Sequence, residues 1–125
     1  MFKDPYQKFG NLDDEMLRAM RLVVDTGLHL KGWSRQQAID YMLAHSSMGV
    51  TDATNEVDRY IAMPGQALAY KIGQLHIRAA RDRAQKALGP KFDVRKFHEQ
   101  VLMSGALPME VLDAKIDNWI AAGGK

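Results

Sequence analysis

The sequence predicts an all-α fold: about six helices in a compact orthogonal or antiparallel bundle, with no sheet. Two observations predict it. No segment alternates polar and apolar residues with a period of two between hairpin turns. Instead, helix-start residues recur before apolar stretches of 3.6 period, and the two signals coincide in the second, fourth, fifth and sixth segments.

Residues 1–11 read as an irregular N-terminal arm, because Pro5 and Gly10 interrupt any period. Asn11 then reads as a cap on Leu12-Asp13-Asp14-Glu15, an acidic first turn that suits the helix dipole, and this helix runs to about Leu30 before Gly32. Ser34 with Gln37 is a capping box that opens a second helix to about His45. Thr51-Asp52 starts a third, which ends before Pro64 because a residue preceding proline disfavours the helical region. Pro64-Gly65 introduces the longest helix, running to Leu88 and stopped by Gly89-Pro90. Asp93 caps a fifth helix that ends at Ser104-Gly105. Pro108 opens the sixth, with Val111, Leu112, Ile116, Trp119 and Ile120 on one stripe. The connections are short, so successive helices should neighbour one another in a single domain over residues 1–125.

Composition narrows the function classes. The chain has 125 residues, 46% hydrophobic, with 17 basic against 15 acidic side chains. A net charge of +2 is too balanced to indicate a nucleic-acid or membrane partner. The absence of cysteine removes disulfides and thiolate metal sites. Aliphatic runs such as Leu22-Val23-Val24 are too short to span a bilayer, and Met1-Phe2-Lys3-Asp4-Pro5-Tyr6 has no apolar signal core. The chain as given is therefore expected in the cytoplasm.

Two constellations could carry chemistry. Arg18, Arg21, Asp25 and His29 share one stripe of a helix that is otherwise apolar on several sides. Buried charges are costly unless paired or lining a wet cavity, and Asp25 is spaced to orient His29 or to neutralise Arg21. The stripe reads either as a salt-bridged seam or as a binding surface. Gly27 in the same helix lowers helix stability by about 1 kcal/mol relative to Ala, which suggests close approach by a neighbour. The second constellation is Gln66, Tyr70 and Gly73, one face beginning at a helix N-terminus. Free amides and a phenol there would suit a carboxylate or an oxyanion, or else Tyr70 is merely half-buried beside a capped helix start. Arg78, Arg81, Arg83 and Lys86 read as a solvated basic face interrupted by Asp82. His98-Glu99 begins an H-E-x-x-H pattern, but Leu102 replaces its second imidazole.

These stretches resemble a bacterial family. Arg18-Ala19, Arg21 to His29, Gly32-Trp33-Ser34-Arg35, Gln37-Ala38-Ile39, Glu56 to Ile61, Pro64 to Gly73, Phe97-His98 and Gly105-Ala106-Leu107-Pro108 are similar to the C-terminal end of domain-of-unknown-function family 885. That family looks like a gluzincin-type zinc peptidase whose metal-binding helix lies upstream. The resemblance implies that His29 and Tyr70 act catalytically, contacting substrate and stabilising a tetrahedral intermediate beside zinc. It implies Arg21 and Asp25 as orienting residues at the substrate and Gln66 as a substrate-facing amide. Met63 departs from the pattern, standing where the family usually carries Trp.

The chain therefore reads as the C-terminal helical half-site of a metallopeptidase-like protein. It is expected to be inactive alone and to hold no cofactor, zinc being expected only in the full-length protein, which could be exported. Its partner would be the missing metal-binding portion or a second copy in a dimer, with a peptide substrate only in the complete protein. The alternative is a free-standing helical protein-protein interaction module.

Overall fold

The computed structural model describes residues 2–125. Six α-helices and two short 3₁₀ turns make up its regular structure, with no strand among the described residues. The all-helical expectation holds, but several boundaries move.

The largest shift is at the start. α1 spans Pro5–Leu30, so most of the expected irregular arm is helix. Asp4, not Asn11, is the cap, its carboxylate accepting the Tyr6 amide at 2.8 Å. Pro5 does not break this helix; at the first position its missing N–H would be unpaired anyway and its fixed φ is already helical. Gly10 lies within the helix with open space around it, a propensity cost the helix absorbs. Residues 2–12 are all exposed, and burial begins only in the following turns.

α2 (Arg35–His45) opens on the expected capping box, with Gln37 N donating to Ser34 Oγ and Ser34 N donating to Gln37 Oε1. α3 (Val50–Ala62) starts from Gly49 without a side-chain cap, leaving Asp52 in its first turn. The fourth helix begins later than Pro64-Gly65 suggests. Gly65 adopts φ +80°, a 3₁₀ turn covers Gln66–Leu68, and α4 runs Ala69–Leu88. After a second 3₁₀ turn at Gly89–Lys91, α5 (Val94–Leu102) takes its cap from Asp93, whose carboxylate accepts the Arg95 amide. α6 (Met109–Ala121) has Pro108 at its cap position.

The chain divides into two compact units, residues 1–72 and 73–125. In the first, Met20, Val24, Ala38, Ile39, Met42, Ala53, Val57, Tyr60 and Ala67 form the core. In the second, Ala80, Ala84, Leu88, Phe97, Leu112, Ile116 and Trp119 do so, with Phe92 edge-on and Phe97 tilted against the Trp119 indole. Among the described residues no helix is long and apolar enough to cross a membrane.

Gly27 shows how tightly the first unit is closed. The chain turns back after α1, with the Lys31 and Trp33 amides both donating to the Gly27 carbonyl. This lays the Trp33 ring on the bare α-carbon, where an added Cβ would stand 2.6 Å from ring atoms. The close approach suggested by a glycine inside an apolar helix is therefore present. Gly27→Ala should destabilise the protein by about 1–3 kcal/mol through overpacking, although alanine is the better helix former. Thermal melting followed by circular dichroism checks this; an unchanged or higher midpoint contradicts it.

Candidate functional site

The buried face of α1 carries two charged residues, Arg21 at 8% exposure and Asp25 at 2%. Each has to find partners inside the first unit, and they find different ones. Arg21 reaches across to α3, where Glu56 and Tyr60 stand one helical turn apart. Its Nη2 and Nε donate to Glu56 Oε2 at 2.9 and 3.2 Å, and Nε also lies 3.2 Å from the Tyr60 hydroxyl. The Tyr60 hydroxyl donates to the same carboxylate oxygen. Arg59 adds a longer ion pair to Glu56 at 3.7 Å and sits over the Tyr60 ring.

The ionisation of this network follows from its geometry. Burial alone would raise the Glu56 carboxyl, but hydrogen bonds from Tyr60 and Arg21 outweigh it and hold the group below its ordinary value. Burial pushes the Tyr60 phenol well above its usual range, and its bond to the Glu56 carboxylate adds to that. Burial opposes the Arg21 charge, yet bonds to Tyr60 and Glu56 more than restore it. The network is locked as cation, carboxylate and neutral phenol.

Asp25 pairs with neither His29 nor Arg21, which corrects the expectation from spacing. Both of its oxygens accept the Gly65 amide, at 3.2 and 3.1 Å. The short carboxylate meets the 3₁₀ turn packed on α1, while the longer arginine passes beyond it. Asp25 thus fixes the left-handed residue just before Gln66, which is partly buried in that turn. His29 is exposed, and its Nε2 donates to the Tyr60 carbonyl at 3.0 Å. Arg18 leaves the stripe altogether, bonding Asp14 on its own helix.

Tyr70, in the first turn of α4, remains 48% exposed with its ring 5.3 Å from the Arg21 guanidinium carbon. That separation is a cation–π contact. Of the residues expected at the site, Arg21 and Tyr70 therefore touch. His29 joins the same network through the Tyr60 backbone, and Asp25 holds the turn that carries Gln66. Met63, at the end of α3, is half exposed.

Spacing on α1 alone missed Glu56 and Tyr60, the true partners of Arg21. Their signal was a Glu and a Tyr four residues apart on a helix whose Ala53 and Val57 face the core. The basic face expected on α4 is partly neutralised, because Arg83 pairs with Asp113 and Asp117, and His76 also bonds Asp113. Among the described residues no group of three His, Cys, Asp or Glu side chains is placed to hold a metal ion.

Fold and site define a helical protein that buries an Arg–Glu–Tyr network behind a half-exposed tyrosine. The family model described as "Bacterial protein of unknown function (DUF885)" matches residues 1–116, and the chain belongs to that family. A crystal structure described as "the putative lipoprotein from Colwellia psychrerythraea" is 48% identical, with a TM-score of 0.94 over 95% of this chain. The chain spans only 20% of that protein's length. Comparison with curated proteins gives no match.

A carboxyl held low in the folded state stabilises the protein fully above its ordinary pKa, and this contribution fades as pH falls through the lowered value. Glu56→Gln should cost about 1.5–3 kcal/mol at pH 7, the worth of charge-assisted hydrogen bonds. The gap between wild type and variant should narrow once pH drops below the ordinary value of 4.5. Urea unfolding at pH 7 and pH 3 measures this, and an equal gap at both would exclude it.

Proposed function

We propose that the chain is the C-terminal helical part of a larger zinc-metallopeptidase-like protein, in which Tyr70 and His29 face a peptide substrate. The observation that carries this reading is the mounting of Tyr70: a phenol left open to solvent, its ring set over a guanidinium that Glu56 and Tyr60 immobilise. Peptide hydrolysis develops negative charge on the scissile carbonyl oxygen, and a preorganised hydroxyl donor is what stabilises such charge. His29 donates through Nε2 to a backbone carbonyl, which leaves Nδ1 as the nitrogen available to substrate. Arg21 and Asp25 act as positioning residues, the first behind Tyr70 and the second through the Gly65 amide. Gln66 follows that amide directly and supplies a side-chain amide toward substrate. The metal ligands belong, in this reading, to a portion outside the chain. The similarity to one fifth of a longer neighbour supports it.

In the longer protein that carries this chain, Tyr70→Phe should lower kcat by about 10²–10³ with KM and melting temperature little changed. Peptidase assay of the purified variant decides. Activity within twofold of wild type in a folded protein would remove Tyr70 from the chemistry.

A second reading, the helical interaction module, rests on α1. Tyr6, Phe9, Leu12 and Met16 are 84%, 62%, 52% and 48% exposed and recur at helical spacing. Such a stripe calls for a cover, either the absent portion of the parent protein or a second copy of the chain. The isolated chain should self-associate at micromolar concentration. Sedimentation equilibrium giving a concentration-independent 14.1 kDa species counts against this.

A further inference from the structure

The charges around Glu56 do not balance. Two guanidiniums, Arg21 and Arg59, converge on one carboxylate oxygen, Glu56 Oε2, and share it unequally. Arg21 hydrogen-bonds it at 2.9 Å, whereas Arg59 Nη2 stops at 3.7 Å, an ion pair without a hydrogen bond. The Tyr60 phenol, pushed up by burial, stays neutral and adds no negative charge. The neighbouring acids are committed elsewhere, Asp25 to the Gly65 amide and Asp58 to Arg35. Arg21, Glu56 and Arg59 together therefore carry a surplus positive charge, and it sits on Arg59.

Arg59 is also held in place. It lies in the last turn of α3, its guanidinium carbon 5.7 Å from the centre of the Tyr60 ring. Its Nε and Nη2 are enclosed and have no hydrogen-bond partner. What exposure the side chain has, 36%, falls to Nη1 and the stem, so Nη1 is the nitrogen that can meet a ligand. Enclosing part of a cation lowers the dielectric around it, which strengthens its pull on an approaching anion. Its position ties it to the residues assigned above to the substrate. The adjoining Tyr60 carbonyl anchors His29, and Glu56 links Arg59 through Arg21 to the Tyr70 ring.

We propose that Arg59, through Nη1, binds a carboxylate of the peptide substrate, either its free C-terminus or an acidic side chain near the scissile bond. This assignment of a substrate class rests on the peptidase reading above. A neutral peptide leaves the surplus charge to water, whereas an anionic one gains a charge-assisted hydrogen bond.

Three matched peptides test this in the longer protein that carries the chain: one with a free C-terminus, the same peptide as its amide, and the amide carrying an added glutamate. The wild type should favour at least one charged peptide over the neutral amide by about ten- to hundredfold in kcat/KM. Preference for the free terminus identifies a chain end, and preference for the glutamate peptide an acidic side chain; either supports the site. Arg59→Gln should bring the ratio to about one, and Arg59→Lys, which keeps the charge, should retain part of it. Ratios are read because a general loss of activity from a disturbed Glu56 network cancels in them. Cleavage of no peptide removes the peptidase reading without deciding the anion site. In that case, or if Arg59→Gln does not fold, the wild-type chain is titrated with N-acetylglycine and with its amide at millimolar concentrations. The Arg59 Nε–H signal in a ¹⁵N spectrum should then shift saturably with the acid and stay in place with the amide. A wild-type ratio near one overturns the proposal, as does a ratio that survives Arg59→Gln. Where the titration decides, an Arg59 signal that acid and amide move alike, or not at all, overturns it.

Discussion

Within residues 1–72, the need to bury a guanidinium governs the arrangement around it. Arg21 lies on the face of α1 that closes the core, between Met20 and Val24, and a charge there is tolerable only with full hydrogen bonding. Glu56 supplies the compensating charge and Tyr60 the remaining bond. Because these two lie one turn apart on α3, satisfying Arg21 sets the rotation of α3 about its own axis. That rotation points Ala53 and Val57 into the core and turns the Tyr60 carbonyl toward His29. A hydrophobic core alone would tolerate some sliding of α3 along α1. The shared carboxylate oxygen does not.

What the sequence reveals about this unit divides along a physical line. Local signals were legible: the Ser34–Gln37 capping box involves groups three residues apart, and Asp93 serves only its own helix. Gly27 was legible for a related reason, since a residue that weakens a helix implies something that needs its missing side chain. The partners of Arg21 and Asp25 were not legible. Helical spacing says which residues share a stripe, not how far each side chain reaches or which element lies opposite. Arginine reaches α3 and aspartate reaches a backbone amide, although they are four residues apart on the same face. The start of α1 was misjudged because Pro5 and Gly10 read as breakers. At the first helical position, after Asp4, the proline is instead a nucleating residue.

The second unit solves its polar requirements at the surface. Arg83 bridges α4 to α6 by bonding Asp113 and Asp117, and His76 shares Asp113. Arg83 and Asp117 are exposed and His76 and Asp113 only partly buried, and the Asp113 carboxyl is held low first by its bond to Arg83. Exposed pairs contribute little stability individually. Their effect is to fix which faces of α4 and α6 meet, above an aromatic layer of Phe92, Phe97 and Trp119. Against that economy the unpaired Trp119 N–H stands out, being the one polar atom this unit buries without return among the described side chains.

α1 carries two stabilities along one axis. Its C-terminal half is pinned by Met20, Arg21, Val24, Asp25 and Gly27, all buried. Its first turns, through residue 12, are exposed throughout and are held chiefly by backbone hydrogen bonds and the Asp4 cap. A short helical stretch in water is marginal without tertiary support. Amide protons there should exchange with solvent orders of magnitude faster than those near Val24, within the same continuous helix. Protection of those amides is then a gauge of occupancy: whatever covers Tyr6, Phe9 and Met16 would slow their exchange, and the gradient along α1 would flatten.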